Sequence, residues 1–208
     1  MIIAIDGPAG TGKSTIANIL AEKLNVVFLN SGGFYRTFTL ALQKANINCS
    51  DENSVVEFCK KQQIDYVDGK FFLNNKDVTS SLHDDEITAS VAKISAIVPL
   101  RHLVNEIMRK ITKSLDIVCE GRDMTTVVFP NADYKIYLDA SAQIRAKRRF
   151  EQGVSNMTIE QIQSSIVERD EIDKNKKEGA LKIAPDALYI DTSDLTIDNV
   201  CAIILNQI

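Results

Sequence analysis

The sequence predicts an α/β fold centred on five parallel strands, and three observations predict it. Five short apolar runs recur along the chain with little polar alternation, as expected of strands buried on both faces of a parallel sheet. Helix-patterned stretches separate them, the order of a doubly wound sheet. A complete glycine-rich sequence, Gly7-Pro8-Ala9-Gly10-Thr11-Gly12-Lys13-Ser14, joins the first run to the first helical stretch, the setting that gives such a loop meaning.

The strand signals fall at Ile2–Asp6, Val26–Leu29, Asp116–Cys119, Tyr134–Leu138 and Ala187–Ile190. After the loop, Ile16, Ile19, Leu20 and Leu24 recur at helical spacing. Further helices are expected near Ser54–Lys61 and from about Glu86. Leu100, Leu103, Val104, Ile107, Met108, Ile111 and Leu115 mark a longer one, and Pro99 either starts it or kinks its predecessor. Ser141–Phe150 and Met157–Ile172 read as charged amphipathic helices, and Ile197, Cys201, Ile204 and Leu205 line the last. One stretch breaks the rhythm. Ile64–Val67, an Asp-Gly turn, Phe71–Leu73 and Asp77–Thr79 read as short antiparallel strands inserted into the α/β order.

At 208 residues the chain fits one domain, or one core with a small appended lobe. Net charge is −4 and the pI about 5.3, so no global basic field attracts nucleic acid, and an anion site must be a local cluster of Arg and Lys. Cys49, Cys59, Cys119 and Cys201 show no metal-ligand or redox spacing, which suits a reducing compartment. Strand pattern from residue 2 leaves no space for a signal peptide, and no apolar run nears the ~20 residues of a membrane span. The expectation is a cytoplasmic protein with neither nucleic-acid nor membrane partners.

In the loop, glycines let several backbone N–H groups converge on one anion, and the following helix adds its positive end. Lys13 would reach the β- and γ-phosphates of a nucleotide, and Ser14 would ligate Mg²⁺. This defines a three-layer P-loop NTPase fold, which kinases, GTPases, ATPase motors and nucleotide sensors all share. For the guanine motif of GTPases, Asn75-Lys76-Asp77-Val78 has its Asp one position early, and Asn175-Lys176-Lys177-Glu178 ends in Glu. Glu120 closes the third strand as the acid of a motor would, but Gly-Arg-Asp follows it. More local clusters follow other strands: Asn30–Arg36, Gly121–Pro130, the trio Arg145, Arg148 and Arg149, and Glu168-Arg169-Asp170 with Asp173 and Lys176. All are expected near the carboxyl edge of the sheet, where open α/β folds bind ligands. On residue type alone an Arg36–Asp123 ion pair, or solvated faces for the other groups, would serve as well. His83 and His102 carry no partners that suggest catalysis.

With those segments in view, the chain resembles the bacterial cytidylate kinases over essentially its whole length. The resemblance rests on the P-loop, Ser31-Gly-x-x-Tyr-Arg36, Gly121-Arg-Asp-Met-x-Thr-Val-Val-Phe-Pro130, Arg145-Ala-Lys-Arg-Arg149, Glu168-Arg-Asp-x-x-Asp173 and Ala184-Pro-Asp-Ala-Leu-Tyr-Ile-Asp-Thr-Ser193. It implies transfer of the γ-phosphoryl group of ATP to CMP or dCMP, in pyrimidine nucleotide metabolism. ATP would lie on Gly7, Pro8, Ala9, Gly10, Thr11, Gly12, Lys13, Ser14 and Thr15, with Arg145 and Arg149 at the base of a mobile lid. Lys13, Arg122, Arg148 and Arg169 would act on the transferring group, and Ser14 on Mg²⁺. Ser31, Arg36 and Arg122 match the acceptor phosphate, Arg101 and Asp123 the cytosine edge, and Asp173 the sugar hydroxyls, with Arg169 and Lys176 nearby. The acceptor phosphate has a second pKa of about 6, so no general base is required. The implied organisation is one monomeric domain over 1–208: a core of 1–33, 99–144 and 178–208, an acceptor lobe of 34–98 holding the antiparallel insertion, and a short helical lid of 145–177. Three positions and one stretch depart from the family: Ala92 for Ser, Lys176 for Arg, Asn30 for Asp, and a shorter Glu151–Met157. Ala92 keeps open another acceptor (UMP, AMP or shikimate), and a nucleotide switch without transfer is the rival from outside the kinases.

Overall fold

In the computed structural model, residues 1–153 and 157–208 are described. The elements in chain order are β1 (Ile2–Asp6), α1 (Lys13–Leu24), β2 (Val27–Asn30), α2 (Ser31–Lys44), α3 (Glu52–Cys59), β3 (Ile64–Val67), β4 (Lys70–Leu73), β5 (Lys76–Asp77), α4 (Asp85–Ile94), α5 (Val98–Thr112), β6 (Ile117–Gly121), β7 (Tyr134–Asp139), α6 (Ala142–Glu151), α7 (Ile159–Lys174), β8 (Leu188–Asp191) and α8 (Ile197–Leu205). A 3₁₀ turn spans Thr79–His83 and a π-helical turn spans Met124–Val128. The expected α/β class, parallel five-stranded sheet and antiparallel insertion are all present. The chain divides into two compact units, Met1–Phe28 with Asp116–Ile208, and Leu29–Leu115.

In the first unit, which holds Val27 and Phe28 of β2, the strand order is β2-β6-β1-β7-β8. The central β1 pairs in parallel with β6, Ile3 opposite Val118, and with β7, Ile5 opposite Ile136. Ile3, Ala4 and Ile5 are fully buried, which is why the run lacks alternation. Ile16, Ala17 and Leu20 of α1 join Val200, Cys201 and Ile204 of α8 on these strands as one core. The register sets Asp6 level with Gly121 and with Tyr137, so β1 and β6 end together and β7 runs two residues further, to Asp139. Their carboxyl ends carry, in turn, the glycine-rich loop, Arg122-Asp123 and the start of α6. The third strand runs two residues further than its apolar run, taking Glu120 into the sheet. Among the described residues no single helix is long and apolar enough to cross a membrane.

The second unit is organised around α2, which the sequence pattern does not reveal. Gly32 and Gly33 occupy its first turn, and Thr37 and Thr39 weaken its propensity. Asn30 caps it, accepting from the Gly33 N–H at 3.2 Å, and the Thr37 and Thr39 hydroxyls turn back to the Gly33 and Tyr35 carbonyls. Tertiary burial decides the helix: Phe34, Phe38 and Leu42 are wholly inside. Pro99 falls in the first turn of α5 and so starts that helix. Leu115, expected on the same face, lies past its end and is exposed. The antiparallel sheet has the order β3-β4-β5, with Tyr66 opposite Phe71. Its third strand stops at Asp77, because the Asp77 carboxylate accepts from the Thr79 N–H and turns the chain.

Gly33 shows why that segment needs a glycine. The Phe71 ring packs edge-on against Phe34, with centroids 5.1 Å apart, and lies against Tyr66 at 4.7 Å. A Cβ on Gly33 would fall 2.1 Å from Phe71 Cζ. The ring is boxed in, so Gly33→Ala should destabilise the protein by about 2–3 kcal/mol, an overpacking cost read by urea unfolding. A change below roughly 0.5 kcal/mol would mean that the aromatic cluster shifts freely.

Candidate active site

The glycine-rich loop leaves β1 and ends at Gly12, whose φ of 90° opens α1. α1 begins with no side-chain cap and no acidic residue in its first turn. By contrast α6, α7 and α8 are capped by Ser141, Thr158 and Thr196. The first N–H groups of α1 therefore lack a side-chain acceptor, the condition under which a helix end attracts an anion. A cavity of about 580 Å³ opens on this loop, lined by Gly10–Ile16, by Arg148 and by residues leading into α8 such as Thr192 and Ile197. Ser14 and Thr15 face it, whereas Gly7, Pro8 and Ala9 are buried behind.

Lys13 is 4% exposed, and its Nζ donates to the Pro8 carbonyl at 2.6 Å. Burial, reinforced by the positive charge of Arg122, pulls its pKa down to about 7 against the opposing pull of Glu120 and Asp6. The Ser14 hydroxyl donates to Glu120 Oε1 at 3.0 Å. Asp6, with no exposed surface, accepts from the N–H groups of Met124 and Thr125 at 2.9 and 2.8 Å and from the Thr125 hydroxyl at 2.6 Å. Burial lifts its carboxyl to about 6 despite those bonds. Asp6 thereby pins the turn that follows Arg122 and the buried Asp123.

A second group of cations gathers on Asp173. Arg122 Nε lies 2.9 Å from its carboxylate, Lys176 Nζ 2.8 Å and Arg169 Nε 3.9 Å. Burial works to raise this carboxyl, but the charges of Arg122 and Lys176 and their hydrogen bonds outweigh it and hold it at about 2. The three arginines of α6 separate by partner. Arg148 donates to the Thr192 hydroxyl at 3.0 Å and to its carbonyl at 2.5 Å. Arg149 is half-buried at the same helix end. Arg145 is buried and donates to the carbonyls of Ala140 and Ala9 and to Asp170. Residues 154–156, inside the Glu151–Met157 stretch expected to be shorter, lie outside the described residues, as does the side chain of His83.

Three candidates belong to the second unit. Ser31 is buried at the start of α2. Arg36 donates from Nη1 to the Leu82 carbonyl and the Thr88 hydroxyl, both at 2.9 Å. Arg101 is buried, with its guanidinium 5.7 Å from the centre of the Tyr35 ring and its Nη1 on the Ser95 carbonyl. The Ser95 hydroxyl donates to the carbonyl of Ala92. Asp6 and Thr192 are given no role in a reading by residue type, and Asp170 enters it only as part of the charged run from Glu168 to Lys176. Only the position of Asp6 at a strand end just before the loop signalled it.

A glycine-rich loop between the central strand and an uncapped helix, at the carboxyl edge of a parallel sheet, defines an α/β protein of the P-loop class. Its fold is similar to that of an uncharacterized protein from Eubacterium ventriosum, at a TM-score of 0.53 and 14% identity, covering 100% of this chain and 97% of that one. It is likewise similar to a shikimate kinase from Bacteroides thetaiotaomicron, at a TM-score of 0.50 and 10% identity, covering 100% and 97%. Sequence is more specific. The cytidylate kinase family model matches residues 3–208. A cytidylate kinase from Borrelia hermsii is 43% identical over 210 residues, 99% of this chain and 96% of that protein. Cytidylate kinase 1 from Borreliella burgdorferi is 41% identical over 212 residues, 100% and 96%. The chain belongs to the cytidylate kinase family.

The Asp173 cluster makes a measurable contribution to stability. A carboxyl held at about 2 against an ordinary 3.8 contributes stability that is present above the ordinary value and lost as pH falls through about 2. Asp173→Asn should therefore lower stability near neutral pH by on the order of 2 kcal/mol. In urea unfolding the gap to the wild type should narrow from about pH 4 downwards. A gap independent of pH would remove the ion cluster as its source.

Proposed function

We infer that this chain transfers the γ-phosphoryl group of ATP to CMP or dCMP, giving ADP and CDP or dCDP. One observation carries the reading: a phosphate loop intact from Gly7 to Thr15, inside a chain that matches cytidylate kinase from residue 3 to 208. The loop amides and the start of α1 would bind the triphosphate, with Lys13 on its β- and γ-groups. Arg148, which lines the cavity, would neutralise charge on the transferring group together with Arg122 and Arg169, and Arg149 would serve ATP. Ser31 and Arg36 are assigned to the acceptor phosphate, as is Arg122. Asp123 would accept from the cytosine amino group and Arg101 would donate to the ring acceptors. Asp173 would hold the sugar hydroxyls, with Arg169 and Lys176 beside it. An acceptor phosphate is already largely ionised near neutral pH, so the step needs positioning and neutralisation without a base.

Mg²⁺ fits the donors beside the loop. Ser14 and Glu120 offer oxygen alone, the ligand type of a hard cation. Ser14 would hold the ion, which supplies neutralisation of phosphate charge when bound. A cytoplasmic monomer acting on small nucleotides is the associated proposal, and the net charge of −4 supports the absence of a nucleic-acid partner.

Incubation with ATP, Mg²⁺ and separately CMP, dCMP, UMP, AMP and GMP tests the reading. CDP and dCDP should dominate, and Lys13→Ala should cut turnover by about 10²-fold or more. Product from UMP or AMP alone would reassign the acceptor, and bound ATP without any diphosphate would favour a switch.

Lys13 adds an independent check. With its pKa at about 7, an adjoining phosphate anion should raise it, so binding of MgATP draws a proton from solution. At about pH 8 the uptake should approach one proton, and it should vanish below roughly pH 6. The dependence of the calorimetric binding enthalpy on buffer ionisation enthalpy reads it. An enthalpy indifferent to buffer would place Lys13 away from the phosphates.

A further inference from the structure

We propose that Arg145 and Asp170 form a positioning pair that sets the direction of the phosphate-loop amides and ties them to α7. This rests on the reading that the loop binds ATP. The resemblance places Arg145 on ATP itself, yet its guanidinium is committed elsewhere. Nε donates to the Ala140 carbonyl at 2.8 Å, Nη1 to the Ala9 carbonyl at 3.0 Å and Nη2 to Asp170 Oδ2 at 2.6 Å. Arg145 is 4% and Asp170 6% exposed. Arg148 lines the cavity on the loop and Arg145 does not. One planar cation therefore joins the residue after β7, the phosphate loop and the middle of α7.

The bond to Ala9 bears on the loop through peptide geometry. In a trans peptide the carbonyl of one residue and the N–H of the next point in opposite directions. No peptide bond in the described chain is cis. Pinning the Ala9 oxygen to Arg145 thus aims the Gly10 N–H away from Arg145, and Gly10 lines the cavity. Gly10 itself rests on the arginine stem: a Cβ there would lie 3.2 Å from Arg145 Cβ, and its φ is 82°. Turning over the Ala9–Gly10 peptide would break its bond to Arg145.

Asp170 supplies the other end. It sits on a helix held to α6 by the small core of Ala146, Ile162 and Ile166. Its Oδ2 serves Arg145, while its Oδ1 is buried with no hydrogen-bond partner. Half-satisfied buried carboxylates cost stability, so the pair is poorly explained as a device for stability alone. The same helix carries Arg169 and Asp173, on either side of Asp170. A shift of α7 would be felt at the Ala9–Gly10 peptide through one buried ion pair.

The test is calorimetric binding of MgATP and of CMP to the wild type and to Asp170→Asn and Arg145→Lys, with melting temperatures alongside. Both substitutions nearly keep volume. Each should weaken MgATP by about tenfold, the loss of one buried charge-assisted bond, and change CMP affinity by less than about twofold. Equal weakening of both nucleotides, unchanged affinity with a lower melting temperature, or failure of both variants to fold would each overturn the pair as a positioning device. A wild type that does not bind MgATP would instead overturn the functional reading beneath it.

Discussion

The first unit depends on a buried carboxylate at the end of its central strand. Asp6 is fully enclosed and accepts from Met124 and Thr125 across the tops of two neighbouring strands. Burial raises its carboxyl to about 6, and those bonds hold the charged form against the cost of desolvation. In exchange, the turn bearing Arg122 and Asp123 is fastened to the residue from which the phosphate loop departs. Parallel register makes this feasible, because β1 and β6 finish level. Two loops with separate tasks thereby share one anchor.

Charge is distributed by the same logic. A chain with net charge −4 holds several of the cations proposed to meet phosphate on acidic or carbonyl partners. Asp173 collects Arg122, Lys176 and, at longer range, Arg169. Lys13 is so deeply buried that it sits near its neutral point, resting on the Pro8 carbonyl. Cations held in this way need no reorganisation of solvent to meet a phosphate, which is the physical advantage of a preorganised site.

The second unit follows a different rule. Its helix α2 forms against local propensity, because Phe34, Phe38 and Leu42 find complete burial there. Gly33 permits the Phe71 ring to approach the backbone, so this glycine of the Ser31–Arg36 segment serves packing. Arg36 and Arg101 are each oriented by carbonyls of their own unit, Leu82 and Ser95.

What the sequence by itself determined were features written in local spacing. The strands, the glycine loop, the Asp-Gly hairpin and the proline start of α5 all obey short-range steric and periodic rules. The residues proposed to meet phosphate were nameable from the sequence too, as arginines clustered beside strand ends in an acidic chain. Tertiary structure alone decided which of them are bound and to what. Arg145 and Arg148 stand three residues apart on one helix, yet one is buried against Ala9 and Asp170 and the other lines the cavity. Sequence spacing cannot separate them, because the difference lies in partners more than twenty residues distant: Asp170 on α7 and Thr192 beyond β8. Asp6 was hidden for the same reason. Its partners are 118 and 119 residues away, and only the register of the sheet brings them to it.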